Sequence, residues 1–423
     1  MPNGVMTGDG TRDNPFIVED AFDFNALRNI QATTAATVAF VELGADINLG
    51  MFPNFTPIPS RFFNIDGKRH KIVNISMAMS GSAFGQSVGL FSSLNATEYI
   101  RNIVIEGIVS VRVTGTGSGS VGLLASNIRA AGVNVLIENI EAYGSIDVSS
   151  QGSGTSVITA GAITAQLNVE SNQRANIRNC FFHGMAQCMV SNTATSAGPT
   201  LVFGGLIGRV DLSFSAVAAF DLCVTDVNLF VSGTTGVRTG VFGGICGDCS
   251  GPTNSSSANR MIAFVSCIGK LAVNYNNIGD FVRLMIFAGI MGRNDTSTAS
   301  SMAAGMTTDL LNCGGFLTIN YDPAFPTGGA DFNGLHGQGV RTGSASSSYV
   351  VMAYNNPNER ELPSGFNLHA LGHVTASANV FFDETVLRAT WDGAISQPTR
   401  GRTTAQLQSQ AFLESEGWVF ADG

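Results

Sequence analysis

Two short apolar phrases alternate along most of the chain. One is rich in glycine: Phe203-Gly204-Gly205-Leu206-Ile207-Gly208. It returns as Val88-Gly89-Leu90-Phe91, Val121-Gly122-Leu123-Leu124, Ala160-Gly161-Ala162-Ile163, Phe242-Gly243-Gly244-Ile245 and Phe287-Ala288-Gly289-Ile290. The other closes on a polar residue and then an aliphatic residue or Cys. It appears as Ile72-Val73-Asn74-Ile75, Ile100-Arg101-Asn102-Ile103, Ile137-Glu138-Asn139-Ile140, Ile177-Arg178-Asn179-Cys180, Phe220-Asp221-Leu222-Cys223, Phe264-Val265-Ser266-Cys267 and Leu310-Leu311-Asn312-Cys313. A period of about 20–50 residues marks a solenoid, a propeller or another array. Few charges and abundant Val, Ile, Thr, Ser and Gly suit stacked short strands better than helices.

Before the repeats, Phe16-Ile17-Val18 reads as a strand and residues 19–30 as a helix. Phe24, Leu27 and Ile30 fall at helical spacing there, with acids in the first turn. Residues 1–33 thus form a terminal cap, because a solenoid has open ends, or a segment that docks on a larger assembly. Residues 37–49 alternate as strands, residues 51–61 form a Pro-containing loop, and residues 63–72 read as strand, tight Asp66-Gly67 turn and strand. The repeats run from Asn74 to about Ile319 and blur from Asp322. One degenerate turn is expected near 334–339, a strand at 348–354, loops over 355–380 and a last strand between Phe381 and Trp391. Thr403 with Gln406 fits a capping box opening a helix over 403–413, and Gly417-Trp418-Val419-Phe420 would tuck onto the last coil. The division expected is 1–33, a repeat body over 34–380, and a C-terminal cap over 381–423.

Cys180, Cys223, Cys267 and Cys313 each close the same phrase, where Ile75, Ile103 and Ile140 stand upstream. A position that accepts Ile or Cys is small, apolar and buried. Stacked strands about 4.8 Å apart would align these side chains in a column. The preceding Asn, at 74, 102, 139, 179 and 312, can chain its amides at a bend; Leu222 and Ser266 depart from the pattern. The glycine phrase suits positive φ or close backbone approach at a corner. It lacks the Lys-Ser/Thr of a phosphate-binding loop.

Composition narrows the function classes. The 423 residues carry a formal charge of −9, and only 13% are charged. No basic stripe exists to replace the counterions of nucleic acid. No apolar run reaches the roughly 18–20 residues that span a bilayer, so membrane insertion is not expected. The first residues show no basic, apolar leader, which suggests a chain not exported by the standard route; a virion part released by lysis needs none. Seven Cys, an odd number, do not suggest a disulfide framework.

These residues resemble the repeat of GLUG-motif proteins. The likeness lies in Ile65-Asp66-Gly67 with His70, Ile72 and Asn74-Ile75, in Val88-Gly89-Leu90-Phe91, in Ile100-Arg101-Asn102-Ile103, and in the glycine phrases at 204–208 and 243–247. Thr404-Ala405-Gln406-Leu407, Phe412 and the Gly417–Phe420 stretch resemble the tail that follows such repeats. Ala162 and Ala288 each replace one Gly. The resemblance implies an all-β, right-handed parallel β-helix with short helical caps at both ends, as in bacterial surface proteins and phage fibres or spikes. It carries no catalytic residues to transfer.

Candidate chemistry is sparse. Cys246-Gly247-Asp248-Cys249 is a C-x-x-C without the second pair a zinc site wants. Cys180, His183 and Cys188 could hold a metal only if Cys180 left the ladder. Glu106, Glu138 and Glu141, or Asp221 and Asp226, could supply the paired carboxylates of a glycan-cleaving groove. Asp66 and His70 flank a turn and read as turn-formers. His369 and His373 lack the Glu of a zincin. No catalytic, metal or cofactor residue is therefore assigned, and no cofactor is expected. The expected function is a non-enzymatic phage virion fibre, spike or appendage. It would meet other virion proteins and a host glycan or protein receptor, as a homotrimer by fold analogy alone. A polysaccharide depolymerase on the same fold, or a bacterial surface adhesin, are the alternatives.

Overall fold

In one coil the chain runs along a short face (Val157–Gly161), turns through Ala162 and Ile163, and follows a second face (Thr164–Val169). It then enters a long face as Arg174–Arg178, bends at Asn179, and continues as Phe181–Ser191. The next coil lies directly on it. Val157–Gly161 pairs in parallel with Thr200–Gly204, which pairs with Thr239–Gly243 and so on to Leu284–Ala288. The structure, a computed structural model, describes residues 5–81, 85–114, 117–151, 157–191, 200–235, 239–251, 260–278, 284–294, 306–321, 330–333, 335–339, 343–346, 348–355, 366–369, 374–378, 381–383, 401–402, 404–407, 409 and 411. Among these, the short face forms one eight-stranded sheet and the other faces join in a 27-stranded sheet. The chain is an all-β parallel β-helix with short helical segments near both ends.

Inside the coil, equivalent side chains form columns. Ile100, Ile137, Ile177, Phe220, Phe264 and Leu310 follow one another in register and are fully buried. On the short face Ala160, Phe203, Phe242 and Phe287 do the same. The spacing of parallel strands suits offset stacking of rings. Phe220 and Phe264 stack at 4.8 Å and 18°, Phe242 and Phe287 at 4.9 Å and 12°.

The cysteine column is present. Arg178 and Phe181 oppose Asp221 and Val224, which sets Cys180 against Cys223; the same flanking pairs continue to Cys267 and Cys313. All four are buried and free. Each thiol donates to the carbonyl two residues earlier, at 3.4–3.5 Å. Ile140 and Ile103 lie opposite each other farther along the column. Ile75 does not belong to it: the pairing shifts between Ile72 and Ile75, so Ile75 faces Gly107. The Gly67–His70 turn displaces this first coil.

The bend residues Asn74, Asn102, Asn139, Asn179 and Asn312 all take left-handed backbone, φ 48–58°. Asn tolerates this region because its short side chain bonds locally. Leu222 and Ser266 adopt it too, φ 52° and 51°. The Asn179 amide donates to Asn139 Oδ1 at 2.7 Å, and Asn139 to Asn102 Oδ1 at 2.9 Å. Asn102 ends this run on Asp66 Oδ1 at 3.0 Å. Asn139→Ala removes both ladder bonds and puts a Cβ-only residue in the left-handed region. Thermal unfolding should show a loss of about 1–3 kcal/mol, and Asn139→Gly, which relieves the backbone, a smaller one.

Glycine and asparagine therefore divide two tasks. The left-handed bends fall to Asn, with Leu222 and Ser266 as the exceptions, whereas Gly204, Gly205 and Gly244 serve close approach. A Cβ on Gly204 would meet the Ile207 carbonyl oxygen at 1.9 Å.

Other expectations need correction. The N-terminal helix spans only Ala21–Ala26, capped by Asp20, which accepts from the Phe22 and Asp23 amides. It tightens into a 3₁₀ turn at Leu27–Asn29, and Ile30 is already extended. Phe24 nonetheless packs on Phe55 and Phe91, at 5.9 Å each. Arg61–Asp66 and Lys71–Gly81 do not pair with each other; both join the following long strand Tyr99–Val113. The expected loop over 355–380 contains strands Phe366–His369 and Val374–Ala378, each paired to the preceding coil. Phe381–Asp383 is the expected late strand, and Thr404–Leu407 is helical. Trp391, Thr403, Phe412 and the 417–420 stretch lie outside the described residues, as do His373 and most of the polar loops. Among the described residues no helix is long and apolar enough to cross a membrane.

Candidate ligand-binding cleft

Strands Thr164–Val169 and Ile207–Leu212 of the second face alternate from their second residue on. Ala165, Leu167 and Val169 point inward; Gln166 and Asn168 point out. In the next coil Val210 and Leu212 point in, and Arg209 and Asp211 out. Register then aligns the outward residues across coils. One column reads Asn127, Gln166, Arg209, Asp248 and Arg293; its neighbour reads Arg129, Asn168, Asp211 and Ser250.

These columns are hydrogen-bonded to one another. Arg209 Nε donates to Asp211 Oδ1 at 2.8 Å and to Ser250 Oγ at 3.0 Å, with Nη2 also on Ser250 at 2.6 Å. The Ser250 hydroxyl and the Gln166 amide donate to the two oxygens of Asp211. Arg293 grips the buried Asp248 through Nε at 3.2 Å and Nη2 at 3.0 Å. Beside them Arg129 pairs with Glu170. Together Arg129, Glu170, Arg209, Asp211, Ser213 and Ser250 line a cleft of about 560 Å³. Its walls combine the polar ends of these side chains with their carbon stems, while Val169 and Leu212 behind them are turned into the coil.

The acids singled out from sequence lie elsewhere, on the long face. Asp66, Arg101, Glu138, Arg178 and Asp221 succeed one another in register, alternating in sign. Arg101 Nε lies 2.9 Å from Asp66 and Arg178 Nε 3.7 Å from Asp221. A second column reads Glu106, Tyr143, His183, Asp226 and Lys270. His183 Nδ1 lies 3.6 Å from Asp226, and Glu141 accepts from the Tyr143 hydroxyl at 3.0 Å. Register thus sets each acid of these columns against a cation or a neutral side chain, except that Asp66 also faces Glu42 of the preceding coil, and there the Lys68 ammonium reaches both carboxylates, at 2.8 Å from Glu42 and 3.5 Å from Asp66.

Asp66 and His70 also separate: His70 Nδ1 faces Asp46 at 3.2 Å. Burial alone would push the Asp66 carboxyl up. Hydrogen bonds from the Asn102 amide, the Lys68 backbone and Arg101 outweigh it and hold the group below the usual aspartate value. A carboxyl depressed in the folded state stabilises above its unfolded pKa of about 3.9, and that contribution fades as pH falls through the lower folded value. Melting temperature should therefore drop between about pH 5 and pH 2, with a shallower slope in Asp66→Asn; an unchanged slope would contradict the assignment.

The cysteine candidates are all interior. Burial pushes the Cys246 and Cys249 thiols well above their usual value, and Cys188 to about 12. His183 is exposed while Cys180 and Cys188 are buried, so the three do not converge. Among the described residues no group of three or more His, Cys, Asp or Glu could hold a metal.

Comparison with known proteins adds little. No family model matches the chain. Halomucin of Haloquadratum walsbyi is 28% identical over 126 residues, 29% of this chain. The chain spans about 1% of the length of that relative. A crystal structure from Bacteroides ovatus, described provisionally as an immunoglobulin A1 protease, superposes with a TM-score of 0.42 at 15% identity, covering 87% of this chain and 86% of the other.

Proposed function

We propose that the chain is a non-enzymatic, elongated shaft that displays recognition surfaces on the outside of a particle or cell. More narrowly, it is a structural or receptor-binding fibre, spike or appendage of a phage virion, acting in several copies, with a trimer as the expected assembly. The observation that carries this reading is the order of the outward columns. Register interleaves acids with arginines, lysine, amides and hydroxyls. Glycan cleavage needs two carboxyls opposed across a substrate, one free to give a proton.

A stack of coils sharing one continuous core gives stiffness, and several copies on one particle would multiply a weak contact into firm attachment. The depolymerase reading has one observation in its favour, because Glu170 and Asp211 line the same cleft. Both, however, are already held by arginines, and Asp211 accepts from three side chains. The test is incubation with host-surface polysaccharide followed by a reducing-end assay. Binding without release is expected; release would overturn the non-enzymatic reading. Immunogold labelling of purified phage tests the narrower assignment, which falls if no particle is decorated.

A further inference from the structure

Resting on the receptor-binding side of that reading, we propose that the cleft lined by Arg129, Glu170, Arg209, Asp211, Ser213 and Ser250 binds a short, uncharged, hydroxyl-rich segment of carbohydrate. Two arginines and two acids line it, and they are paired: Arg129 with Glu170, Arg209 with Asp211. Opposite charges that already cancel leave no surplus to select an anion or a cation. What remains is hydrogen-bonding capacity of both kinds, closely spaced. A guanidinium has five N–H donors and a carboxylate about four lone-pair sites. Arg209 uses only Nε and Nη2 in its bonds to Asp211 and Ser250. A donor beside an acceptor matches neighbouring hydroxyls on a sugar ring, each of which gives one hydrogen bond and takes another.

Two further features narrow the ligand. Val169 and Leu212 turn into the core, each 1% exposed, and no aromatic ring lines the cleft. A flat aromatic ligand would therefore find no ring to stack on. The floor is also a sheet interior whose backbone groups are spent on the coils above and below, Thr164–Val169 being paired on both sides. A peptide adding itself as a strand would find no free ladder there. The volume of about 560 Å³ lies within the usual range for small-ligand sites.

The polar side chains are also pre-positioned. Arg209, Asp211 and Ser250 hold one another across adjacent coils, so binding costs little side-chain ordering.

The experiment uses the full chain on an array of neutral and acidic oligosaccharides, followed by calorimetric titration of the best ligands at low and high salt. Expected are hits among neutral glycans, with affinity changing less than about twofold between 50 and 500 mM NaCl, because no net charge is screened. Arg209→Gln should weaken binding by about tenfold or more, as loss of a charged hydrogen bond does. That variant could loosen the coil, so Ser213→Trp provides a second route. The Ser213 side chain makes no hydrogen bond among the described residues, and an indole there would fill the cleft. It should abolish binding with an unchanged melting temperature. Binding confined to acidic glycans, no glycan binding, or full binding by a folded Ser213→Trp protein would each overturn the proposal. A neutral glycan that binds in the cleft and is then cleaved would support the ligand class while sinking the non-catalytic reading.

Discussion

Phe242→Ala is expected to cost about 3–5 kcal/mol of stability, the range for emptying a large buried aromatic site. Phe242 is fully buried, with Phe203 in the coil below and Phe287 in the coil above. Its ring stacks on Phe287 at 4.9 Å, nearly parallel. A solenoid coil has few ways to collapse onto a cavity, because every strand is fixed in register on both sides. Most of the lost contact should therefore remain lost. A double-mutant cycle with Phe287→Ala should yield a coupling of about 0.5–1.5 kcal/mol from the ring contact itself. Denaturant unfolding of the four proteins measures both quantities. A Phe242→Ala protein within about 1 kcal/mol of the parent would show that the short-face column is not a packed stack.

Gly244→Val should be comparably damaging for a different reason. No aromatic is removed, but the new Cβ would sit 1.9 Å from the Gly289 carbonyl oxygen and 2.9 Å from its carbon. Both are backbone atoms of the next coil and cannot swing aside. The Gly244 carbonyl is pinned in turn by the Thr225 hydroxyl at 2.7 Å. A Cβ at Gly205 would strike that same Gly244 oxygen at 1.9 Å. The corner thus consists of carbonyls occupying the space that side chains would need. Overpacking of this kind costs about 3 kcal/mol or more. Ala162 stands at the equivalent corner of an earlier coil, so the tightness is particular to the run from Gly205 to Gly289. Melting curves of Gly244→Val and Gly205→Val would register it as large drops; values near the parent would mean that the coils sit farther apart.

The interior was legible in the sequence because the inward positions repeat in kind. A residue that must be small and apolar in every coil leaves Ile, Ile, Cys, Cys, Cys, Cys in rough period, and a left-handed bend leaves Asn before it. Where the period failed, the coil itself was irregular. Ile75 carries the right phrase, yet the Gly67–His70 turn moves it opposite Gly107. The strands at 366–369 and 374–378 were missed because their coils no longer repeat the glycine phrase.

The cleft was not legible. Period-two alternation marks Arg209 and Asp211 as outward, but nothing in their own coil says that Ser250 lies beside them. Coil lengths vary, so partners cannot be found by adding a fixed number. The same uncertainty made Asp221 and Asp226 look like possible catalytic partners, whereas register sets Arg178 against Asp221, and His183 and Lys270 against Asp226. Outward columns are matched by charge and hydrogen bonding rather than by likeness, and such matching appears only once register is known.

In-register winding is the claim on which the columns, the cleft and the shaft all depend. The most direct test is to locate the sulfur atoms by long-wavelength anomalous diffraction from crystals of the unlabelled protein. The sulfurs of Cys180, Cys223, Cys267 and Cys313 should lie on one line, about 5 Å from each to the next. Four sulfurs scattered through the molecule, or aligned with another residue between them, would contradict it.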